Sequence, residues 1–487
     1  MDYAIALFYT RPEIILSLGG LVLTLIAAWG GRKSARLCTI LAIAALLGAG
    51  AYAVKFMVDP AYELGADVFS GTFRVDTFAN FTKLLIYLAA IACLAVTPRY
   101  FEARNEYRPE YPVLIVFAAV GMGLMVSAVD LMTLYIGLEL SSLSSYVLAS
   151  FARSDERSAE AGLKYFVLGA LASGILLFGM SLVYGFAGTT SYLGIRAAFA
   201  DGLSTGALFG VVFVLAGLAF KVSAVPFHMW TPDVYEGAPT PVTTFFASAL
   251  KIAAVAMLMR MAMDAFGDHA GAWRQIVIFA ALASIVVGAL GAIGQQNLKR
   301  LLAYSSINNV GFILIGLAAG TEAGASAMLV YLAIYLAMTI GSFVAVLMLR
   351  NDAGKPLEGV ADVAGLSRTQ PLLAACLAAM MFSLAGIPPL FGFWGKFVVF
   401  QAAVQADLVL LAALGIAASV IGAFYYIKIV KVMYFDEPAG IANGRSGRVE
   451  WAVLLVAALI VSPLGYLLTP WLGQWADRAA SALFFAV

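Results

Sequence analysis

Fourteen runs of about twenty apolar residues follow one another along this 487-residue chain, and a run of that length is what a helix needs to cross the hydrocarbon core of a bilayer. They lie near 13–31, 37–57, 77–97, 112–128, 131–150, 163–186, 206–230, 241–262, 274–294, 301–319, 325–349, 371–400, 407–432 and 451–470. The bilayer core offers no water to a bare backbone, so each run has to satisfy its own peptide groups as a helix. The expected fold is therefore all-α and polytopic, with about 14 transmembrane helices in a single membrane domain. Charge supports this: only 12% of residues are charged, against about 25% in soluble domains.

Short loops exclude most chemistry. The longest gap, near 350–370, cannot hold a soluble catalytic domain, and the chain has neither a G-x-G-x-x-G after a strand nor a phosphate-binding loop. Chemistry driven by a nucleotide bound to this chain is excluded, and no basic tract points to nucleic acid. Cys38, Cys93 and Cys376 stand singly in apolar runs, and His228 and His269 are about forty residues apart. Zinc, haem and iron–sulfur sites want clustered ligands, so no metal or cofactor is expected here. Residues 1–12 carry no basic stretch or small-residue cleavage site of a removable signal peptide.

Orientation follows from lysine and arginine in alternate loops. Loops after odd-numbered runs hold sixteen: Arg32, Lys33, Arg36, Arg99, Arg104, Arg108, Arg153, Arg157, Lys299, Arg300, Arg350, Lys355, Arg368, Lys431, Arg445 and Arg448. The other side holds seven: Arg11, Lys55, Arg74, Arg196, Arg260, Arg274 and Arg478. Both termini are thus expected outside, which is the periplasm of a bacterial inner (plasma) membrane.

The six remaining basic residues are all lysines inside apolar runs: Lys83, Lys164, Lys221, Lys251, Lys396 and Lys428. Only one acid, Glu139 in LYIGLELSSLSSY, lies well inside a run. Ionisable groups at that depth are expensive unless paired or hydrated, and mark ion or proton pathways. Lys83 and Lys428 are near span ends, where an ammonium can snorkel to the interface. Lys164 is also near an end, and both readings stay open for it. Lys221, Lys251 and Lys396 are deep, and proton transfer is the favoured reading. Pro226, five residues after Lys221, and Pro388–Pro389, shortly before Lys396, predict that the seventh and twelfth spans are broken, since proline frees backbone groups in a helix.

A faint repeat joins these features. Lys221 and Lys251 are 30 residues apart, Lys396 and Lys428 are 32 apart, and the first of each pair lies near a proline break. Two five-helix units, 112–262 and 274–433, would follow three flanking helices (1–111) and precede a C-terminal helix (434–487). Five is odd, so the units would be inverted, an architecture of ion-coupled transporters.

PFHMWTPDVYEGAPTPV with a lysine five residues before it, QQNLKRLLAYSSINNVGF, and LAGIPPLFGFWGKF occur in order over some 300 residues. Together they resemble the antiporter-like membrane subunits of respiratory complex I, the NADH-quinone oxidoreductase. WTPDVYEGAPTPV and a lysine at position 396 are similar to the N-type branch. The resemblance implies a proton-translocating subunit without redox groups of its own. Flavin, iron–sulfur clusters and quinone would belong to other subunits, and membrane lipids and K- and M-type subunits would be its neighbours. It further implies an ion pair of Glu139 with Lys221, a central relay at Lys251, a terminal lysine at Lys396, and a sixth-helix lysine at Lys164. His228 occupies the family's PFH position, either as a proton group at a helix break or as a structural residue. Asn308 and Asn309 stand where many relatives have YSSI-x-H. An amide does not change charge near neutral pH, leaving water to link Lys251 with Lys396. Two rivals share these features: a Mrp-type cation/proton antiporter subunit, and a purely structural membrane subunit.

Overall fold

A computed structural model describes residues 3–59, 65–442, 444 and 446–484; Arg445, one of the loop cations counted above, lies outside the described residues. The long helices are α1 (Arg11–Gly30), α2 (Ala35–Val58), α3 (Thr77–Glu102), α4 (Glu110–Ser127), α5 (Leu131–Ala149), α6 (Glu156–Ala187), α7 (Thr205–Val222), α8 (Trp230–Gly237), α9 (Thr240–Ala265), α10 (Ala270–Ile293), α11 (Leu298–Ala319), α12 (Glu322–Met348), α13 (Pro371–Ala385), α14 (Phe391–Gln405), α15 (Val409–Phe435), α16 (Arg448–Val461) and α17 (Thr469–Ser481). Polar side chains open many of them. Asp130 accepts from Met132 N and Thr133 N at the start of α5, and Asn297 accepts from Lys299 N and Arg300 N at the start of α11. Each satisfies orphan N–H groups of a first turn.

Among the described residues, eleven helices are long and apolar enough to cross a membrane, or twelve with one bent pair counted, against fourteen expected. The difference falls where the chain bends. Arg11–Val58 is 48 residues, about 72 Å of helix and twice a bilayer core. It folds back at Gly31–Ser34, so that Gly19 faces Ala45 and Gly48 faces Ile15. The twelfth run is two 15-residue helices, α13 and α14. The fourteenth ends early: Pro463 stops α16 at Val461, and the chain resumes after a 70° bend as Pro463–Ser481. One small departure from an all-helical chain is a hairpin of β1 (Ala66–Val68) and β2 (Phe73–Val75), turned by left-handed residues Phe69, Ser70 and Gly71.

α9, α11 and α12 form the centre, each with 94% of its apolar window buried. α1, α2, α6 and α15 keep exposed apolar flanks such as Leu18, Leu171 and Val420. Close helix approach rests on small residues. Gly121 of α4 crosses Gly137 of α5 so tightly that a Cβ on Gly121 would lie 2.5 Å from Ser141 N and 2.6 Å from Gly137 O. Backbone atoms cannot step aside, so Gly121→Val is expected to cost about 1–3 kcal/mol by overpacking. Native gels should show clearly less assembled protein than for the parent.

The two loop sets are physically segregated. Ion pairs join Arg36 to Glu102, Arg104 to Asp155, and Arg157 and Lys299 to Glu358 on the strongly basic face. On the opposite face Arg74 meets Asp67 and Asp264, and Arg196 meets Asp268. Among the described residues, no ion pair crosses from one face to the other.

Candidate functional site

The break after α7 organises the interior. Val222 ends the helix, Ser223 turns left-handed (φ 65°), and Ala224 N returns to Ala219 O. Both proline sites expected to break helices do so; the peptide bonds before Pro226 and Pro389 are cis. Two lysines converge on the α7 break. Lys221 Nζ donates to Ser142 Oγ of α5 at 2.8 Å, while Lys251 Nζ, from α9, donates to Val222 O (3.0 Å) and Ser223 Oγ (2.8 Å). A cavity of about 10 Å³ lies beside Lys221, lined by Ser141, Ser142, Tyr165, Leu250 and Ala254 among others. That is room for about one water.

Lys396 repeats the arrangement at the second break. Its Nζ donates to Ala385 O at 3.0 Å, the last carbonyl of α13, where Gly386 turns left-handed (φ 82°). A cation at a helix C-terminus is favoured by the unpaired carbonyls and the helix dipole. The Phe312 ring lies 4.4 Å from Nζ. Lys251 and Lys396 are thus both buried ammoniums holding the C-terminal end of a half-helix. The spacing pattern had paired Lys221 with Lys396; in space Lys221 precedes its break and Lys396 follows its own, so these two are not equivalent positions.

Glu139 does not form the ion pair with Lys221 that the resemblance implied. Met132, Ile136, Leu143 and Val147 make the exposed stripe of α5, and position 139 belongs to that stripe by helical spacing. Leu138 and Ser142 belong to the inward face, and Ser142 takes the lysine instead. Glu139 Oε1 is nevertheless buried without a hydrogen-bond partner.

Lys164 is not in the interior. Its ammonium pairs with Glu160 and Asp233, each at 2.7 Å, with 41% of its side chain exposed. Arg300 joins the same group through Asp233 (2.6 Å) and Glu236 (3.0 Å). They surround a charged cleft of about 200 Å³ on the basic face. His228 lies half-buried between α7 and α8, its Nδ1 without a partner. Lys428 Nζ reaches Ile293 O at 3.4 Å, at the end of α10. Lys83 does not snorkel: it is 1% exposed and paired at 2.6 Å with Glu13 at the start of α1. Only burial across helices reveals that pair.

Asn309 is the other residue whose role lay hidden. Tyr331 OH donates to Asn309 Oδ1 at 2.6 Å. Asn309 Nδ2 donates to Ser305 O (2.7 Å) and Tyr426 OH (3.3 Å), and Ser305 Oγ and Tyr426 OH are 2.5 Å apart. Beside it Tyr335 OH donates to Ser306 Oγ at 2.9 Å. Tyr331 packs on Gly395, next to Lys396. From the other direction, Val225 N donates to Ser284 Oγ and Asn308 Nδ2 to Ile285 O, one residue further along α10. The stretch between the two lysine sites therefore holds ordered hydroxyls and amides, not water alone. Its signal was present in the sequence as Ser305/Asn309 and Tyr331/Tyr335, each four apart on one helix face.

Gly392 and Gly395, small residues that suggest room for water near Lys396, are contact points: a Cβ on Gly392 would lie 2.1 Å from Ser383 O, and one on Gly395 2.7 Å from the Tyr331 ring.

Comparison with known proteins gives this geometry its family. Residues 128–422 match the family described as "NADH:quinone oxidoreductase/Mrp antiporter, TM". NADH-quinone oxidoreductase subunit N of Erythrobacter litoralis is 66% identical over all of this chain and all of its own length. A chain of respiratory complex I from Thermus thermophilus is 30% identical with a TM-score of 0.81, covering 94% of this chain and 98% of its own. A chain of the Mrp complex from Dietzia superposes at TM-score 0.85 with 23% identity, covering 98% of this chain and 97% of its own, which shows a shared fold alone. With full-length identity of that degree to subunit N, the chain belongs to the N-subunit family of NADH-quinone oxidoreductase, within the wider group of complex I and Mrp antiporter membrane subunits.

Proposed function

We propose that this chain is a non-redox, proton-translocating subunit of the membrane arm of NADH-quinone oxidoreductase. The observation that carries the reading is the pair of buried ammoniums, Lys251 and Lys396, each set on the open C-terminal end of a half-helix. Such a lysine is a compact carrier able to lose its proton when desolvated. Protons would enter at the charged cleft of Lys164, Asp233 and Arg300, reach Lys221 with its one-water cavity, pass to Lys251, and go by the Asn309 group to Lys396. Glu139 would act from the partner-facing stripe of α5, its charge favouring the ammonium of Lys221. His228 would serve at the α7–α8 hinge.

Flavin, iron–sulfur clusters and quinone would sit in other subunits. The exposed apolar stripes of α5 and α6 would meet K- and M-type subunits. The apolar cleft of about 530 Å³ between α3, α12 and α16 would take lipid chains. The basic face would be cytoplasmic, with both termini periplasmic. The two inverted units 112–262 and 274–433, with flanks 1–111 and 434–487, would each carry one break. The Mrp reading has fold likeness behind it, whereas subunit N has sequence identity over the full length.

Glu139→Gln tests the role of the charge. It keeps size and hydrogen bonding, so the complex should assemble. NADH-driven proton uptake in inverted membrane vesicles should fall at least about tenfold, less than the roughly hundredfold that marks the low end for a group transferring the proton itself. Full pumping by the assembled variant would remove Glu139 from the mechanism.

A further inference from the structure

Outside residues 128–422, the flanking helices hold a buried ion pair that the lysine row does not use. Glu13 of α1 and Lys83 of α3 meet at 2.6 Å with side chains 7% and 1% exposed. Beyond that contact neither Glu13 oxygen has a hydrogen-bond donor. One turn further along α3 the Tyr87 hydroxyl is buried without a partner. Gly123 of α4 leaves a slot between the two: a Cβ there would stand 3.1 Å from Glu13 Oε1 and 3.5 Å from Tyr87 OH.

The same side of α3 continues outward. Asn80 Oδ1 and Asp76 Oδ2 are also buried and unpartnered, and positions 76, 80, 83 and 87 share one helix face. From Asp76 to Tyr87 this face runs about 16 Å, half the thickness of a bilayer core. It begins at the face opposite the basic one, where Asp76 meets Arg260 at 2.8 Å and Arg74 joins Asp264 at 3.0 Å.

A static pin explains little of this. A buried ion pair gives small net stability compared with apolar groups of similar volume, and each unpartnered buried polar atom is costly. A file of such atoms, one at each turn, suits groups that exchange a mobile donor. We propose that this face of α3 is a proton path to the outer side, with Glu13 and Lys83 as its exchanging pair; this rests on the reading of the chain as a proton translocator. A proton arriving past Tyr87 forms an O–H bond on Glu13 while Lys83 stays an ammonium. Its departure along Asn80 and Asp76 to outer water breaks that bond and restores the carboxylate–ammonium pair. No electron moves.

The test uses the whole complex in inverted vesicles, with assembly read on native gels. Glu13→Gln/Lys83→Met leaves no unpaired buried charge, and Tyr87→Phe removes a hydroxyl that makes no hydrogen bond, so both should assemble. Proton uptake per NADH is expected to fall at least about twofold in each, a modest loss for a proton-transfer group. A protonated-carboxyl infrared band that appears during turnover of the parent should be missing from the double variant. Parent-level uptake in either assembled variant, with Lys251→Met unable to pump, overturns this proposal alone. Parent-level uptake in Lys251→Met overturns the lysine row, and this proposal with it. If the double variant does not assemble, Tyr87→Phe decides.

Discussion

A complex carrying Lys251→Arg is expected to assemble and yet take up hardly more protons per NADH than Lys251→Ala, about tenfold or more below the parent. The reason is local. Lys251 follows a π-helical turn, Phe246–Leu250, in a helix without proline at that point. Such a bulge shifts the following residue relative to its helix and is frequent at functional sites. Here it sets Nζ on Val222 O and Ser223 Oγ, with the side chain 2% exposed. Arginine keeps the charge on those acceptors but does not deprotonate in a protein. A relay must release as well as hold. Lys396→Arg should fail similarly, because Tyr331, Phe312 and the close-packed glycines leave neither space for a guanidinium nor a bypass for water. Assembly on native gels and acid uptake in vesicles read both effects. Parent-like pumping by Lys251→Arg would show that charge alone suffices at this position.

Arg260→Ala is expected to be the most damaging change to the fold. Arg260 is 1% exposed, donates to Val126 O (2.9 Å) and Asp76 Oδ1 (2.8 Å), and lies over the Phe78 ring. Removing it takes from Asp76, 4% exposed, its direct ion-pair partner. Breaking a buried pair from one side costs about 3–5 kcal/mol, enough to abolish accumulation of assembled complex. Asp76 also caps α3 through Ala79 N at 2.7 Å, so loss of its orientation loosens that helix start as well. Arg260→Met/Asp76→Asn removes both charges and keeps the cap acceptor. It should recover much of the assembly lost in Arg260→Ala, measured as the native-gel band and its survival on heating. Equal loss in the single and double variants would mean that Arg260 matters for its packing, not its charge.

How far the chain could be read in advance depends on which kind of interaction is at stake. Span positions and the two breaks are encoded locally, by apolar run length and by Pro226, Pro388 and Pro389. The segregation of loop charge is equally local, being a count of lysine and arginine in alternate loops. What the sequence hid is everything decided by rotation about a helix axis or by contact between helices. Glu139 and Ser142 differ by less than one turn, yet Glu139 stands half-buried beside the exposed stripe while Ser142 receives Lys221. Lys83 looked like a snorkelling residue because its distance from the span end was visible, while Glu13, some seventy residues away, was not matched to it. Glycines near Lys396 read as space, but partner helices fill that space. The π turn before Lys251 has no proline or glycine to announce it. Asn309 looked like the loss of a titratable group, and became a hydrogen-bonding junction once Tyr331 and Tyr426 arrived from other helices.

The most direct measurement is the number of protons taken up per NADH by an assembled complex in which Lys221, Lys251 and Lys396 are all methionine. Methionine keeps much of the lysine stem's volume and apolar packing, so the helices should still assemble while every deep ammonium is gone. The ratio should drop below that of the parent complex and match that of Lys251→Met alone, because one broken link already stops the row. An assembled triple variant that takes up as many protons per NADH as the parent would contradict the assignment of proton transfer to these lysines.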